Sequence, residues 1–128
     1  MEPLFLIRKP VEYKDACNEV IAYGTYHGYA FLIANYGTHP CAYVRLPENH
    51  KLQGKDSDFI ENCVDCHGGV TYVGDLSKFG YEGVWIGWDY RHDSDYAYQS
   101  HSTTEDKRLH KWTTPEIVEE LKEVIDQL

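Results

Sequence analysis

Three short stretches of this sequence gather side chains that can do chemistry, and the densest is Trp85-Ile86-Gly87-Trp88-Asp89-Tyr90-Arg91-His92-Asp93-Ser94-Asp95-Tyr96. It begins as a buried strand and turns polar after Trp88. Asp89 and His92 are three residues apart, as are His92 and Asp95, so one turn of chain could converge them on a single proton or ion. A carboxylate beside an imidazole orients the ring and raises its basicity, and Asp89, His92 and Asp95 would also make sensible metal ligands. The bland alternative is an acidic loop whose charges face water. Trp88 weighs against it, because a pocket needs an apolar wall as well as polar groups.

The second stretch is Cys66-His67-Gly68-Gly69-Val70-Thr71-Tyr72. Two glycines after a histidine allow a close backbone approach or a tight entry into a strand. A histidine at such a mouth suits a proton carrier or a ligand, and equally a hydrogen-bonded turn. A strand over residues 69–73 would turn Gly69 and Thr71 one way and Val70 and Tyr72 the other. The third stretch, Cys63-Val64-Asp65-Cys66-His67, has the spacing of covalent c-type haem attachment. That chemistry belongs to exported chains, and the apolar run Leu4–Ile7 is too short for a signal peptide, with its basic residues on the wrong side. No haem is expected. The same cysteines could form half of a zinc site, completed by His39 with Cys41 or by His92, so zinc or another divalent metal is one reading. Two reduced cysteines beside a turn are the other.

These side chains need elements to position them. Strands are expected at residues 4–8, 20–24, 29–36, 41–46, 69–73 and 83–88, from runs of aromatic and β-branched residues bounded by Gly and Pro. Pro10 could open a short helix through residue 19, with Val11, Cys17 and Ala16 turned inward. Residues 47–66 read as irregular, with one helical turn near 58–63, and residues 89–111 as a long surface loop of the functional or mobile kind. Thr113-Thr114-Pro115-Glu116 fits a capping box. Beyond it Ile117, Val118, Leu121, Val124, Ile125 and Leu128 fall on one helical face, while Glu119, Glu120, Lys122, Glu123 and Asp126 take the other. This helix is expected to pack on the sheet, with a dimer seam as its other use.

The 128 residues suit one domain spanning 1–128. A formal charge of −9 disfavours general binding to nucleic acid or to anionic membrane surfaces. Eleven tyrosines suggest strands and a stacking surface. With no span of eighteen apolar residues and no signal peptide, a cytoplasmic protein with reduced cysteines is expected. Phosphate-binding loops, dinucleotide fingerprints, His-Glu-x-x-His and nucleophile elbows are absent. His101-Ser102-Thr103 fits one element of a two-histidine phosphodiesterase by spacing, without a second copy.

The ordered words His39-Pro40-Cys41-Ala42-Tyr43-Val44, Cys66-His67-Gly68-Gly69 with Thr71-Tyr72, Trp85-Ile86-Gly87-Trp88-Asp89 with His92 and Asp95-Tyr96, and Lys111-Trp112-Thr113-Thr114 resemble a family of small phage and prophage proteins. The resemblance covers roughly residues 20–128. It implies a phage accessory protein, many of which counter host defence, acting in the host cell cytoplasm, and it brings no activity with it.

The resulting expectation is an α+β fold: an antiparallel, aromatic-rich sheet with a C-terminal amphipathic helix on one face. One edge would collect His39, Cys66, His67, Asp89, His92 and Asp95. His67 and His92 would act as acid and base, or as metal ligands, with Asp89 orienting. His39, Arg45, Thr71, Tyr72, Trp88, Arg91, Asp95 and Tyr96 would bind the ligand, with Trp88, Tyr72 and Tyr96 stacking a base and Arg45 and Arg91 gripping phosphate. Three functions follow: binding of a nucleotide-like signal, phosphodiesterase-like hydrolysis of such a signal, or acidic inhibition of a host defence protein. A homo-oligomer is compatible with each.

Overall fold

The computed structural model describes residues 9–92, 94–98 and 109–128, together with the backbone of residues 4–7. Six strands form one antiparallel sheet: β1 (Leu4–Ile7), β2 (Glu19–Tyr26), β3 (Tyr29–Asn35), β4 (Pro40–Leu46), β5 (Tyr72–Leu76) and β6 (Tyr81–Asp89), in the spatial order β1-β2-β3-β4-β6-β5. Two helices accompany it, α1 (Ser57–Cys63) and α2 (Thr114–Asp126). The fold is α+β.

The β2–β3 hairpin closes through His27 and Gly28, both at positive φ (49° and 83°). Consecutive left-handed residues make the two-residue turn whose twist matches that of the flanking strands. Alternation along the strands then gives the sheet two different faces. One is packed by α2: Ile21, Phe31, Ile33, Val44, Ile86 and Trp88 meet Ile117, Val118, Leu121, Val124 and Ile125, all buried. The other carries Leu32, Ala34, Cys41, Tyr43, Leu76 and Trp85, with Tyr36, Tyr72, Phe79 and Tyr81 partly buried against them. Among the described residues this second face has no α-helix over it, only the short 3-10 turn Ser77–Phe79 that lays Phe79 against it, and its tyrosines border open hollows.

The expected capping box is present. Thr113 is the N-cap, its hydroxyl accepts from the Glu116 N–H, and the Glu116 carboxylate accepts from the Thr113 N–H at 2.9 Å. The amphipathic face of α2 also follows the expected spacing, although two residues of the polar face, Lys122 and Glu120, are half-buried. The Glu120 carboxylate accepts from the His67 N–H at 2.7 Å and from the hydroxyl of buried Tyr90. The turn expected near 58–63 is α1, capped by Asp56, whose carboxylate accepts from the Phe59 N–H at 2.9 Å.

Three expectations are corrected. Residues 10–19 form no helix, and β2 already begins at Glu19. They make a strap across the β3–β4 turn, because their backbone groups bond to that turn: Lys14 N–H to Gly37 O at 3.0 Å, Cys17 N–H to Tyr36 O at 2.9 Å, and the Asn35 amide to Glu12 O at 3.0 Å. Ala16, expected inward, is exposed, while Val11 and Cys17 are half-buried. Gly37 must lack a Cβ, which would lie 2.1 Å from Asp15 O.

The strand expected at 69–73 starts at Tyr72. Gly68 and Gly69 both sit at positive φ (71° and 86°), so the chain is still turning there. Val70 and Tyr72 consequently lie on opposite faces of the sheet, with Val70 in the core beneath α2 and Tyr72 among the tyrosines. Of the expected loop at 89–111, Asp89 belongs to β6, and a bridge between Asp95 and His110 draws the two ends of the segment together. Residues 99–108, including His101-Ser102-Thr103, lie outside the described residues, as does Arg8, the expected end of the first strand. No helix among the described residues is long and apolar enough to cross a membrane.

Candidate functional site

Asp95 is the centre of the first half of the site. Its side chain is only 1% exposed, and five hydrogen-bond contacts converge on it. Oδ1 accepts from the Trp112 indole N–H at 2.8 Å and lies 2.9 Å from His67 Nε2. Oδ2 lies 2.7 Å from His67 Nε2 and 3.2 Å from His92 Nδ1, and accepts from the His92 backbone N–H at 2.9 Å. Burial alone would raise the Asp95 carboxyl pKa, but the bonds from His67, His92 and Trp112 outweigh it and hold the group below the usual carboxylate range. Asp95 is therefore an anion, buried where two imidazoles meet.

Each ring is held in place. His67 stacks on Tyr90 with centroids 4.8 Å apart and planes at 11°, and Trp112 lies 4.9 Å away on the same ring. His92 packs against Gly68, where a Cβ would fall 2.1 Å from the imidazole Cε1. The two histidines stand 5.3 Å apart edge-to-face. The Gly-Gly pair of the His67-Gly68-Gly69 stretch thus does two things: it turns the chain into β5, and it leaves room for the second histidine. The far nitrogen of His92, Nε2, looks toward the Asp89 carboxylate, 3.7 Å away.

Asp89 connects this cluster to the second half of the site. It lies on the tyrosine face, on the rim of a cavity of about 630 Å³ lined by Ala16, Cys17, Asn18, Tyr36, Thr38, His39, Cys41, Tyr43, Thr71, Tyr72, Trp88 and Asp89. The walls are amphipathic. Tyr43 meets Tyr72 edge-to-face at 5.7 Å, and the Tyr36 and Tyr43 hydroxyls share a 2.7 Å hydrogen bond. His39 Nδ1 bonds the Thr38 hydroxyl at 2.9 Å. Burial lowers the His39 pKa below the usual imidazole value, with Arg91 and His92 adding repulsion and Asp89 opposing. Burial likewise pushes the Cys41 thiol up to about 12, so it is a neutral wall and not a nucleophile. A cation borders the cavity as well: Lys78 Nζ lies 4.9 Å from the Tyr36 ring centroid.

The structure brings His67, His92, Asp89 and Asp95 together, and it places His39, Thr71, Tyr72, Trp88 and Asp89 on one cavity. It separates the remaining candidates. Arg45 pairs with Trp85 on the β4–β6 ladder, four residues from the Cys41–Asp89 pair and so about 13 Å along the strand. It borders a different hollow, with Tyr23, Tyr81 and Glu82. Trp88 touches the cavity, but it is 1% exposed, packs in the core beneath α2 and donates its indole N–H to Tyr90 Oη at 2.9 Å, so it is not a stacking platform. Tyr96 is edge-to-face with Tyr13 at 5.0 Å, under the Lys111 ammonium, away from the cavity lining. Arg91 is exposed, and its backbone N–H bonds Asp89 at 3.2 Å.

The cysteines are all free, and Cys66, whose thiol burial pushes up to about 12, packs against the core beneath α2 while Cys41 lies on the other face. A zinc site built from Cys63 and Cys66 with His39 and Cys41 is therefore not assembled. Among the described residues, the one trio of potential ligand side chains close enough to share an ion is His67, His92 and Asp95. Sequence reasoning missed Trp112, Glu120, Tyr36, Tyr43 and Lys78. Trp112 and Tyr43 had a signal, as parts of the Lys111-Trp112-Thr113-Thr114 and His39-Pro40-Cys41-Ala42-Tyr43-Val44 words. No family model, no curated protein and no solved structure matches the chain.

Proposed function

We propose that this is a small phage-type accessory protein that binds a polar, nucleotide-like signal in the tyrosine-lined cavity, a role in evading host defence being what its resemblance suggests. The observation that carries the reading is the cavity itself. It has about 630 Å³, three tyrosines and His39 for a planar base, and Thr71 and Asp89 for polar edges. Lys78 on one side and Arg91, which does not line the cavity but whose charge is felt by His39, supply the local positive charge that a phosphorylated ligand needs on a chain of net −9.

A second reading, hydrolysis of the same ligand, has its own observation. His92 is oriented by buried Asp95 through Nδ1, which leaves Nε2 facing Asp89 at the cavity rim. That is the arrangement of a positioned general base.

One experiment tests both. The protein is incubated with a panel of cyclic and linear nucleotides, then heated, and the released material is analysed. Intact nucleotide supports sequestration, and product supports hydrolysis. Tyr72→Ala should weaken retention by at least about tenfold, as expected for a lost stacking partner. His92→Ala should leave sequestration largely intact but reduce any turnover by about a hundredfold or more. Failure to retain or convert any nucleotide removes both readings and favours inhibition of a basic host protein by the acidic surface.

A further inference from the structure

We infer that His67, His92 and Asp95 form a three-ligand site for a divalent transition-metal ion of the zinc type, with an open coordination position facing solvent. The inference concerns the His–Asp cluster, none of whose three residues lines the cavity, and stands whether or not the cavity binds a nucleotide. Its first support is convergence. His67 Nε2 and His92 Nδ1 both aim at one carboxylate oxygen, at 2.7 and 3.2 Å, and all three ligand atoms fall within 4.8 Å of one another. Zinc with ligands at about 2.0–2.2 Å holds them about 3.3–3.5 Å apart, so small side-chain rotations close the site.

The second support is the saturation of one buried carboxylate by nitrogens. Asp95 Oδ2 faces His67 Nε2, His92 Nδ1 and the His92 N–H, while Trp112 already serves Oδ1. Four nitrogens crowd one carboxylate, whose lone pairs they fill only if both rings turn a proton toward it. A cation shared by the two ring nitrogens and the carboxylate relieves that crowding, because each ring then offers a lone pair in place of a proton.

The third support lies in the surroundings. Metal-bound histidines are usually fixed by a partner on the far nitrogen, and His92 Nε2 has Asp89 at 3.7 Å. His67 is fixed by stacking on Tyr90 and Trp112, and Asp95 by the Trp112 indole. Burial is graded across the trio: the side chain of Asp95 is 1% exposed, that of His67 21% and that of His92 36%. The unfilled side therefore opens toward solvent, which suits three protein ligands plus an exchangeable water better than a closed structural site.

The test uses the chelator-stripped chain and metal alone. Zn²⁺ titrated by calorimetry should bind at one equivalent per chain, and Co²⁺ should give the visible absorption of a four-coordinate nitrogen–oxygen site. Mg²⁺, which prefers oxygen ligands, should not compete. His67→Ala and His92→Ala should each weaken Zn²⁺ by about a hundredfold or more, and Asp89→Asn by about tenfold, the scale of an outer-shell partner. Cys63→Ser with Cys66→Ser should change nothing. Nuclear magnetic resonance of the wild-type chain, which needs no variant to fold, should show zinc shifting the ring nitrogens of His67 and His92 specifically. Absence of stoichiometric binding, binding that survives loss of both histidines, or binding lost with the cysteines would each overturn the inference. A zinc-binding chain that retains no nucleotide would remove the ligand reading and leave this one standing.

Discussion

Gly68 is where one missing methyl lets two distant histidines meet. Its φ of 71° is left-handed, and a Cβ would sit 2.1 Å from the His92 ring. Gly28 has a similar φ of 83° but faces open space. Alanine at either position incurs the left-handed backbone cost, about 1 kcal/mol. Only Gly68→Ala must also displace His92, so chemical denaturation should show it to be less stable than Gly28→Ala by a further ~1–2 kcal/mol; equal losses would mean that His92 is not held. The sequence shows that His67, His92 and Asp95 are chemically apt, and the i, i+3 spacing of His92 and Asp95 is a real local signal. It does not show that Trp112 and Glu120 complete the cluster, because the bonds from Trp112 to Asp95 and from the His67 N–H to Glu120 span 17 and 53 residues. The cysteines offer a second residue-scale check. Cys63 is exposed, whereas burial pushes Cys41 and Cys66 to about 12. Iodoacetamide at neutral pH should label Cys63 first and Cys41 last, as read by peptide mass spectrometry, and unfolding should level the rates.

Among the elements, α2 was the most legible and the 10–19 strap the least. A helix with a capping box and an apolar stripe carries its instructions locally, and Thr113 and Glu116 do bond as their spacing implies. The strap has no such instructions. Its conformation is dictated by carbonyls and amides of the β3–β4 turn, partners that a local pattern cannot reveal. The β5 boundary failed for a related reason: residues 69–73 look like strand by composition, yet two left-handed glycines delay it to Tyr72. The faces of α2 give a graded prediction. Leu121 is fully buried against the sheet, so Leu121→Asp should remove several kcal/mol from a total of roughly 5–15 and leave little folded protein. Thr113→Ala removes only the cap and should lower stability by about 1 kcal/mol. If Leu121→Asp melts like the parent, the helix belongs to an interface between chains and not to the core.

For the whole molecule, the two faces of one sheet have different chemistry, and acid should expose the difference. The face under α2 is closed by that helix, whose capping carboxylate Glu116 is held below its usual pKa: burial would raise it, but bonds from Thr113 and His110 prevail. The tyrosine face holds His39, which burial keeps below its usual pKa despite Asp89. For a histidine depressed in the folded state, the unfolded chain takes up the proton first. Its contribution is therefore complete above about pH 6.5 and is lost as pH falls toward the folded value. For Glu116 the contribution is complete above about pH 4.3 and is lost as pH falls through its depressed folded value. Thermal melts of chelator-treated protein should accordingly show stability declining in two separate steps on acidification. His39→Asn, which keeps a hydrogen bond to Thr38 without a titrating ring, should erase the upper step and spare the lower. Glu116→Gln, which preserves the capping geometry, should spare the upper step and shrink the lower one, which Asp95, also held below its usual pKa, shares. An upper step that persists in His39→Asn would show that the tyrosine face does not bury a neutral histidine, and the electrostatics assigned to the cavity would have to be redrawn.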